Sequence, residues 1–268
     1  MRLALAFLLA SSALAYEWPV GGSDTSLGGP ATNSGSQAAG TTTSVTIWPQ
    51  AEATIFVLVA LKSTVGAAPS ITTPTGFGLT WRRITSVVWQ NPRKTAEAWE
   101  AYSPTSLAPG SVTFGLVGSG GISFAYQVDQ WLGVAPMVSS TADNVVQSVV
   151  GHAAGLGTAT TASLTLAAYE GPDDRALLFV LTDNGGAYAP GVGFSPVFQD
   201  SNGLLPTFTE WQDGTPTVLD ATWADSVAYG AIAFELRAGP TLPSIRDAND
   251  FPTRLDAPPF VLPAEAAQ

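Results

Sequence analysis

Between residues 45 and 237 the chain is cut into short runs of β-branched, aromatic and apolar residues, each closed by turn residues. The runs are 45–48, 54–61, 79–89, 95–102, 112–116, 122–132, 163–168, 176–181, 195–199, 207–212 and 227–237. Asn91-Pro92, Pro109-Gly110, Gly118 to Gly121, Gly171-Pro172-Asp173-Asp174, Asn184-Gly185-Gly186, Asn202-Gly203 and Asp213-Gly214 separate them. Each turn supplies a residue that tolerates positive φ or one whose φ is preset. Many short strands with explicit turns predict an antiparallel sandwich or barrel.

Composition agrees. Gly 27 and Pro 20 in 268 residues leave little room for long helices. Hydrophobic residues are 46% and charged residues 12%, about half the usual charged share, so the chain can bury a large core. All-β sandwiches fill this length as one unit, and with no internal repeat visible a single sandwich over 45–238 is expected.

Alternation supports strands. Ile122, Phe124, Tyr126 and Val128 fall on one face, with Ser123, Ala125, Gln127 and Asp129 on the other, which predicts a half-buried antiparallel strand. Trp81, Trp89 and Trp99 lie inside predicted strands and read as core. Residues 141–150 are the one stretch allowed a helical turn or two, and 153–162 read as a loop.

The ends differ in texture. Residues 1–15 place Arg2 before an apolar stretch and an Ala13-x-Ala15 site, the layout of a secretory leader. They also alternate like a first strand, and both readings stay open. Residues 21–44, rich in Gly, Ser, Thr and Ala, predict a flexible arm, so 1–44 is a leader or strand plus arm. The 239–268 tail is broken by Pro240, Pro243, Pro252, Pro258, Pro259 and Pro263, yet it keeps spaced apolar residues. Phe251, Leu255, Phe260, Val261 and Leu262 are its candidate assembly anchors.

Charge and chemistry exclude several classes. The net charge of -11 opposes binding to a polyanion, so nucleic acid is not an expected partner. No run reaches the length of a membrane span. With Cys 0 and His 1 there is no thiol nucleophile and no multi-histidine metal site. His152 lies outside any Gly-x-Ser-x-Gly elbow. Glu97 and Glu100, three apart on a strand, point to opposite faces and cannot flank one glycosidic bond. Asp129 beside Trp131 has no visible partner. Asp200-Ser-Asn202-Gly203, Asp173-Asp174 and Asp183-Asn184-Gly185 are fragments of oxygen-rich loops without a complete calcium spacing. The expectation is no catalytic residue, no cofactor and no metal. Trp211, next to Glu210 at a strand end, and Trp223 in Asp220-Ala-Thr-Trp-Ala-Asp225 are the candidate ligand-binding residues, as aromatics that could stack on sugar rings.

Three segments carry a resemblance: Gly76-Phe-Gly-Leu-Thr-Trp81, Ala96-Glu-Ala-Trp99-Glu-Ala-Tyr102-Ser-Pro and Gly110-Ser-Val-Thr-Phe114. Together with the strand from Phe124 to Gly133, the run from Ala176 to Gly186 and the closing Ala231-Ile-Ala-Phe-Glu235-Leu236, they resemble a jelly-roll-like β-sandwich module. That module occurs in phage virion and tail-associated proteins and in secreted bacterial surface proteins. The resemblance spans residues 40–238 and brings no catalytic residues. It implies a non-enzymatic building or attachment protein on an exterior surface: a virion decoration, fibre or tail accessory, oligomeric and docked through its arms to neighbouring subunits. The alternatives are a secreted glycan-binding adhesin, favoured if residues 1–15 are cleaved, and, third, a glycoside hydrolase or lyase.

Overall fold

The computed structural model describes residues 31–89, 93–135, 145–152, 157–183, 186–200 and 205–239. The described residues form strands and no helix, and every strand pairing is antiparallel. The first unit comprises β1 (Ala31–Ala38), β2 (Thr42–Ile47), β3 (Ala53–Ser63), β4 (Ser70–Ile71), β5 (Arg82–Trp89), β6 (Lys94–Ser103), β7 (Gly110–Val117) and β8 (Gly121–Trp131). The second comprises β9 (Val145–His152), β10 (Ala159–Thr165), β11 (Arg175–Thr182), β12 (Tyr188–Ala189), β13 (Ser195–Asp200), β14 (Thr207–Asp213), β15 (Val218–Val227) and β16 (Tyr229–Leu236).

The two units share one topology, strand for strand. The first has a five-stranded sheet ordered β1-β8-β3-β6-β5 facing a three-stranded sheet β2-β7-β4. The second repeats it as β9-β16-β11-β14-β13 facing β10-β15-β12. Strands one, eight, three and six opposite two, seven and four is jelly-roll wrapping, with the fifth strand joined to the sixth. The jelly-roll-like all-β class expected from sequence is therefore present twice, where a single sandwich was expected.

Three apolar cores make this a four-layer stack. One fills the space between β2-β7-β4 and its large sheet, and another lies between β10-β15-β12 and its own. The third lies between the two large sheets. Both faces of each large sheet are thus covered, which is why β3 and β11 are buried along almost their whole length. It also explains a difference from the sequence reading of β8. Gln127 and Asp129 do not face water; they are 0% and 2% exposed, turned toward the second unit.

Three segments depart from expectation. Residues 31–38 and 42–44, read as a loose arm, form β1 and the start of β2, the first paired to β8 from Ala31↔Val128 to Ala38↔Gly121; 45–47, read as the start of a strand run, complete β2. Val145–His152 is a strand and not helical turns, because β-branched Val145, Val146, Val149 and Val150 favour the extended backbone. Ala159–Thr165, read partly as loop, is β10. Residues 1–30 and 240–268, including the leader and the anchors Phe251, Leu255, Phe260, Val261 and Leu262, lie outside the described residues.

The central interface is aromatic. Phe56 meets Phe234 at 5.4 Å between ring centroids, and Trp131 meets Trp211 edge-on at 5.8 Å. Trp89 lies so close over Gly230 that a Cβ there would sit 2.7 Å from its ring. Few polar links cross: Thr209 Oγ1 donates to Gln127 Oε1 at 2.7 Å, and Lys94 pairs with Asp183. At one end the segments leaving each unit pair with each other, Ala135 N donating to Arg237 O and Gly239 N to Gly133 O.

Local devices also repeat. β5 and β13 each carry a bulge that skips one residue, Ile84 and Val197 respectively, and both pack against the central core. The turns Gly76-Phe-Gly-Leu79 and Gly191-Val-Gly-Phe194 close with the same bond, at 3.1 Å in each. At both first glycines a Cβ would strike a carbonyl, Ser111 O at 2.4 Å and Asp220 O at 2.2 Å.

Because Phe234 belongs to the interface and not to one unit alone, Phe234→Ala should cost about 3–5 kcal/mol. Urea denaturation should still show one transition for both units. Two separated transitions would show that the units fold independently.

Candidate functional site

Of the residues singled out for ligand binding, Glu210 and Trp211 are neighbours on β14 and so point to opposite sides of the sheet. Trp211 is half-buried against the central core, its ring meeting Trp131. Glu210 is fully buried on the other side, toward the small sheet. Trp223 is 4% exposed and wedged between Tyr188 and Tyr229, at 6.1 and 5.3 Å, with its Nε1 donating to Ala159 O at 2.8 Å. Its ring faces are used in packing, so the three residues do not converge on one sugar platform. Trp81, Trp89 and Trp99 are buried, as expected for core residues.

The other sequence candidates are also dispersed. Glu100 sits on the central-interface side of β6 and pairs with Arg82. Glu97 faces the small sheet and accepts from Trp99 Nε1 at 2.8 Å. His152 ends β9 and is exposed. Asp129 and Trp131 share the interface face of β8, closed off by the second unit. Among the described residues no three His, Asp or Glu side chains gather as a metal set.

One concave site includes Asp173-Asp174, read from the sequence as a fragment of an oxygen-rich loop without a complete calcium spacing. A cleft of about 350 Å³ is lined by Glu170, Asp173, Asp174, Arg237 and the backbone of Ala238 and Gly239. It lies where β16 leaves the second unit beside Gly133. Behind it Glu235 is fully buried, and burial, with the adjacent Asp174 carboxyl adding to it, raises its pKa. The carboxylates are nonetheless fastened. Asp174 Oδ2 accepts from Gly171 N at 2.9 Å and Oδ1 from Ala238 N at 2.8 Å. Glu235 Oε1 accepts from Glu170 N at 3.0 Å, and Oε2 from Gln147. Glu170 pairs with Arg237 at the rim. These bonds tie the turn before β11 to the end of β16, so the cleft's acidic groups position backbone at the seam between units. Its sequence signal, Gly171-Pro-Asp-Asp174, reads as a turn; the partners on β16 are more than sixty residues away.

Two interior carboxyls, Asp129 and Glu210, are shifted far from their ordinary range. Burial pushes Asp129 up to about 7, although Gln127 donates to it. Burial pushes Glu210 up to about 8, against the pull of the Gly191 amide and with Asp220 adding to the rise. Both bind their protons more tightly folded than unfolded, where the ordinary values are 3.8 and 4.5. The folded state therefore has its full advantage below about pH 4 and loses it as pH rises through about 7 to 8. Equilibrium denaturation should show stability falling across that range. Asp129→Asn should flatten the part of the slope below pH 7; an unchanged slope would remove Asp129 as its source.

Comparison of the chain with known protein families, with characterised proteins and with solved structures finds no match.

Proposed function

We propose that this chain is a structural and attachment protein on an exterior surface, without catalytic activity, and that it is a component of a virion: a decoration, fibre or tail accessory. The observation that carries this reading is the stacking of two jelly rolls through a buried, largely aromatic interface. A rigid body so made suits a load-bearing part. Its interior carboxylates and cations fasten strands and turns: Arg82 to Glu100, Lys94 to Asp183, Asp174 and Glu235 to backbone amides. The outer faces are lined with uncharged hydroxyls, Thr42, Ser44 and Thr46 on β2 and Thr160, Ser163 and Thr165 on β10. Jelly rolls recur in capsid and lectin domains, which agrees with the resemblance, although a fold does not fix a function.

In this reading the tail, with Phe251, Leu255, Phe260, Val261 and Leu262, docks the body to neighbouring subunits. Light scattering on the full chain and on a chain lacking residues 240–268 tests it. The full chain should assemble, and the shortened one should stay monomeric with an unchanged melting temperature. Normal assembly by the shortened chain would refute docking by the tail.

A second reading, glycan attachment, is favoured by Trp48 and not by Trp211 or Trp223. Trp48 is 46% exposed, and its carbonyl accepts from Gln130 Nε2 at 3.0 Å and from Gln50 Nε2 at 3.3 Å. An open indole beside two amides offers stacking and hydrogen bonding together. On a glycan array Trp48→Ala should abolish any signal without changing thermal stability. A signal that survives the substitution would exclude this site.

A further inference from the structure

Strand-end bonds align the two units residue by residue. Ser63 N donates to Arg93 O in the first unit, as Thr182 N does to Pro206 O in the second. Thr64 N donates to Gly121 O, as Asp183 N does to Ala228 O. Glu97 stands four residues after Arg93, opposite Val59, itself four before Ser63. Glu210 stands four residues after Pro206, opposite Leu178, itself four before Thr182. Glu97 and Glu210 are therefore the same position, and two residues on, Trp99 corresponds to Gln212.

The first unit satisfies its buried carboxylate. Glu97 accepts from Trp99 Nε1 and the Ile71 amide, and the Arg83 guanidinium, 5.9 Å over the Trp99 ring, offsets its charge. The second unit keeps the carboxylate but has lost that compensation. Gln212 replaces Trp99, and β13 (sequence SPVFQD) presents Pro196 opposite Glu210 and contains no Arg or Lys. Glu210 is 0% exposed; its Oε2 accepts from Gly191 N at 3.0 Å, while its Oε1 has no hydrogen-bond partner. Gln212 Oε1 is buried without a partner as well. Both side chains lie under the Gly191-Val-Gly193 turn, where Gln212 Nε2 would sit 2.8 Å from a Cβ on Gly193. A second carboxylate stands at the same turn: Asp220 Oδ1 lies 2.9 Å from where a Gly191 Cβ would be.

From these unpaired oxygens, we infer that the second unit binds a divalent cation, Ca²⁺ by preference, between Glu210, Asp220 and Gln212 beneath the Gly191–Gly193 turn. Two carboxylates and an amide carbonyl form a hard oxygen set of irregular geometry, which suits Ca²⁺ better than the strictly octahedral Mg²⁺. The ion would stand where the first unit has Arg83, and it would pin the turn to β14 and β15. Without it, the Glu210 carboxyl is neutralised by a proton, so binding exchanges a proton for the ion.

The test is calorimetric titration of Ca²⁺ alone into the chelator-treated full chain, at about pH 8.5 so that a proton competes weakly. The intact chain should bind. Asp220→Asn, at a half-exposed position that tolerates the change, should weaken binding by about tenfold or more. Asp173→Asn, in the separate cleft beside Arg237, should leave it unchanged. Absence of binding, binding indifferent to Asp220→Asn, or binding lost in Asp173→Asn would each overturn the inference.

Discussion

The contact between the two five-stranded sheets determines what the rest of the structure can be. Each jelly roll alone would leave one face of its large sheet bare, with Phe56, Trp89 and Trp131 exposed on one unit and Phe179, Trp211 and Phe234 on the other. Burying a large aromatic side chain contributes on the order of 2–3 kcal/mol, so these faces are strongly driven together. Aromatic packing sets little register by itself, and the polar links supply it. The Thr209–Gln127 bond, the Lys94–Asp183 pair and the antiparallel bridge between Val134 and Ala238 fix how one sheet sits on the other. Pairing of the corresponding exit segments is the self-complementary contact of a two-fold relation, built here within one chain.

That contact also explains the unusual interior chemistry. Antiparallel sheets normally keep one face wet, and polar residues on that face cost nothing. Once the face is covered, Gln127, Asp129 and Glu100 become buried groups that need partners. Glu100 has Arg82. Asp129 has only Gln127 for one oxygen and is held toward its neutral form by desolvation. The outward-facing hydroxyls of the small sheets, such as Thr42, Ser44 and Thr46 on β2, by contrast remain solvated.

The strand pattern and its turns were legible because they rest on local rules: β-branched runs, glycine and proline punctuation, and period-two alternation. The jelly-roll character followed from the same signals. The doubling did not, because what the units share is topology, a bulge somewhere in the fifth strand and a Gly-x-Gly turn. The side chains at matched positions differ, as Trp99 and Gln212 do. The Ser44-Val-Thr-Ile47 and Ser163-Leu-Thr-Leu166 segments are similar but too short to announce a repeat. For the same reason Gln127 and Asp129 passed as a solvent face, since alternation shows that a face is polar and not what covers it. The sequence marks Glu210 through its neighbour Trp211, although adjacent residues on a strand point to opposite faces. Its actual surroundings, Gly191 in the β12–β13 connection and Asp220 on β15, are linked to it by no local pattern.

Two copies of one fold in one chain need keep only what holds the sheets together. The glycines at 76 and 191 persist in both units because a carbonyl occupies the space of any side chain there. The fifth strand of each unit also carries a bulge, at Ile84 and at Val197, two residues apart along the partner strand, and each feeds the central core. Elsewhere the copies are free to differ, and the buried carboxylate position shows how far. In the first unit it is closed internally by an indole N–H and a guanidinium. In the second the same backbone carries the same carboxylate with oxygen-bearing neighbours. A buried carboxylate must be neutralised by a cation or a proton, and the chain solves this with its own arginine in one unit only. Matched positions within one molecule thus differ wherever the fold does not require them to agree.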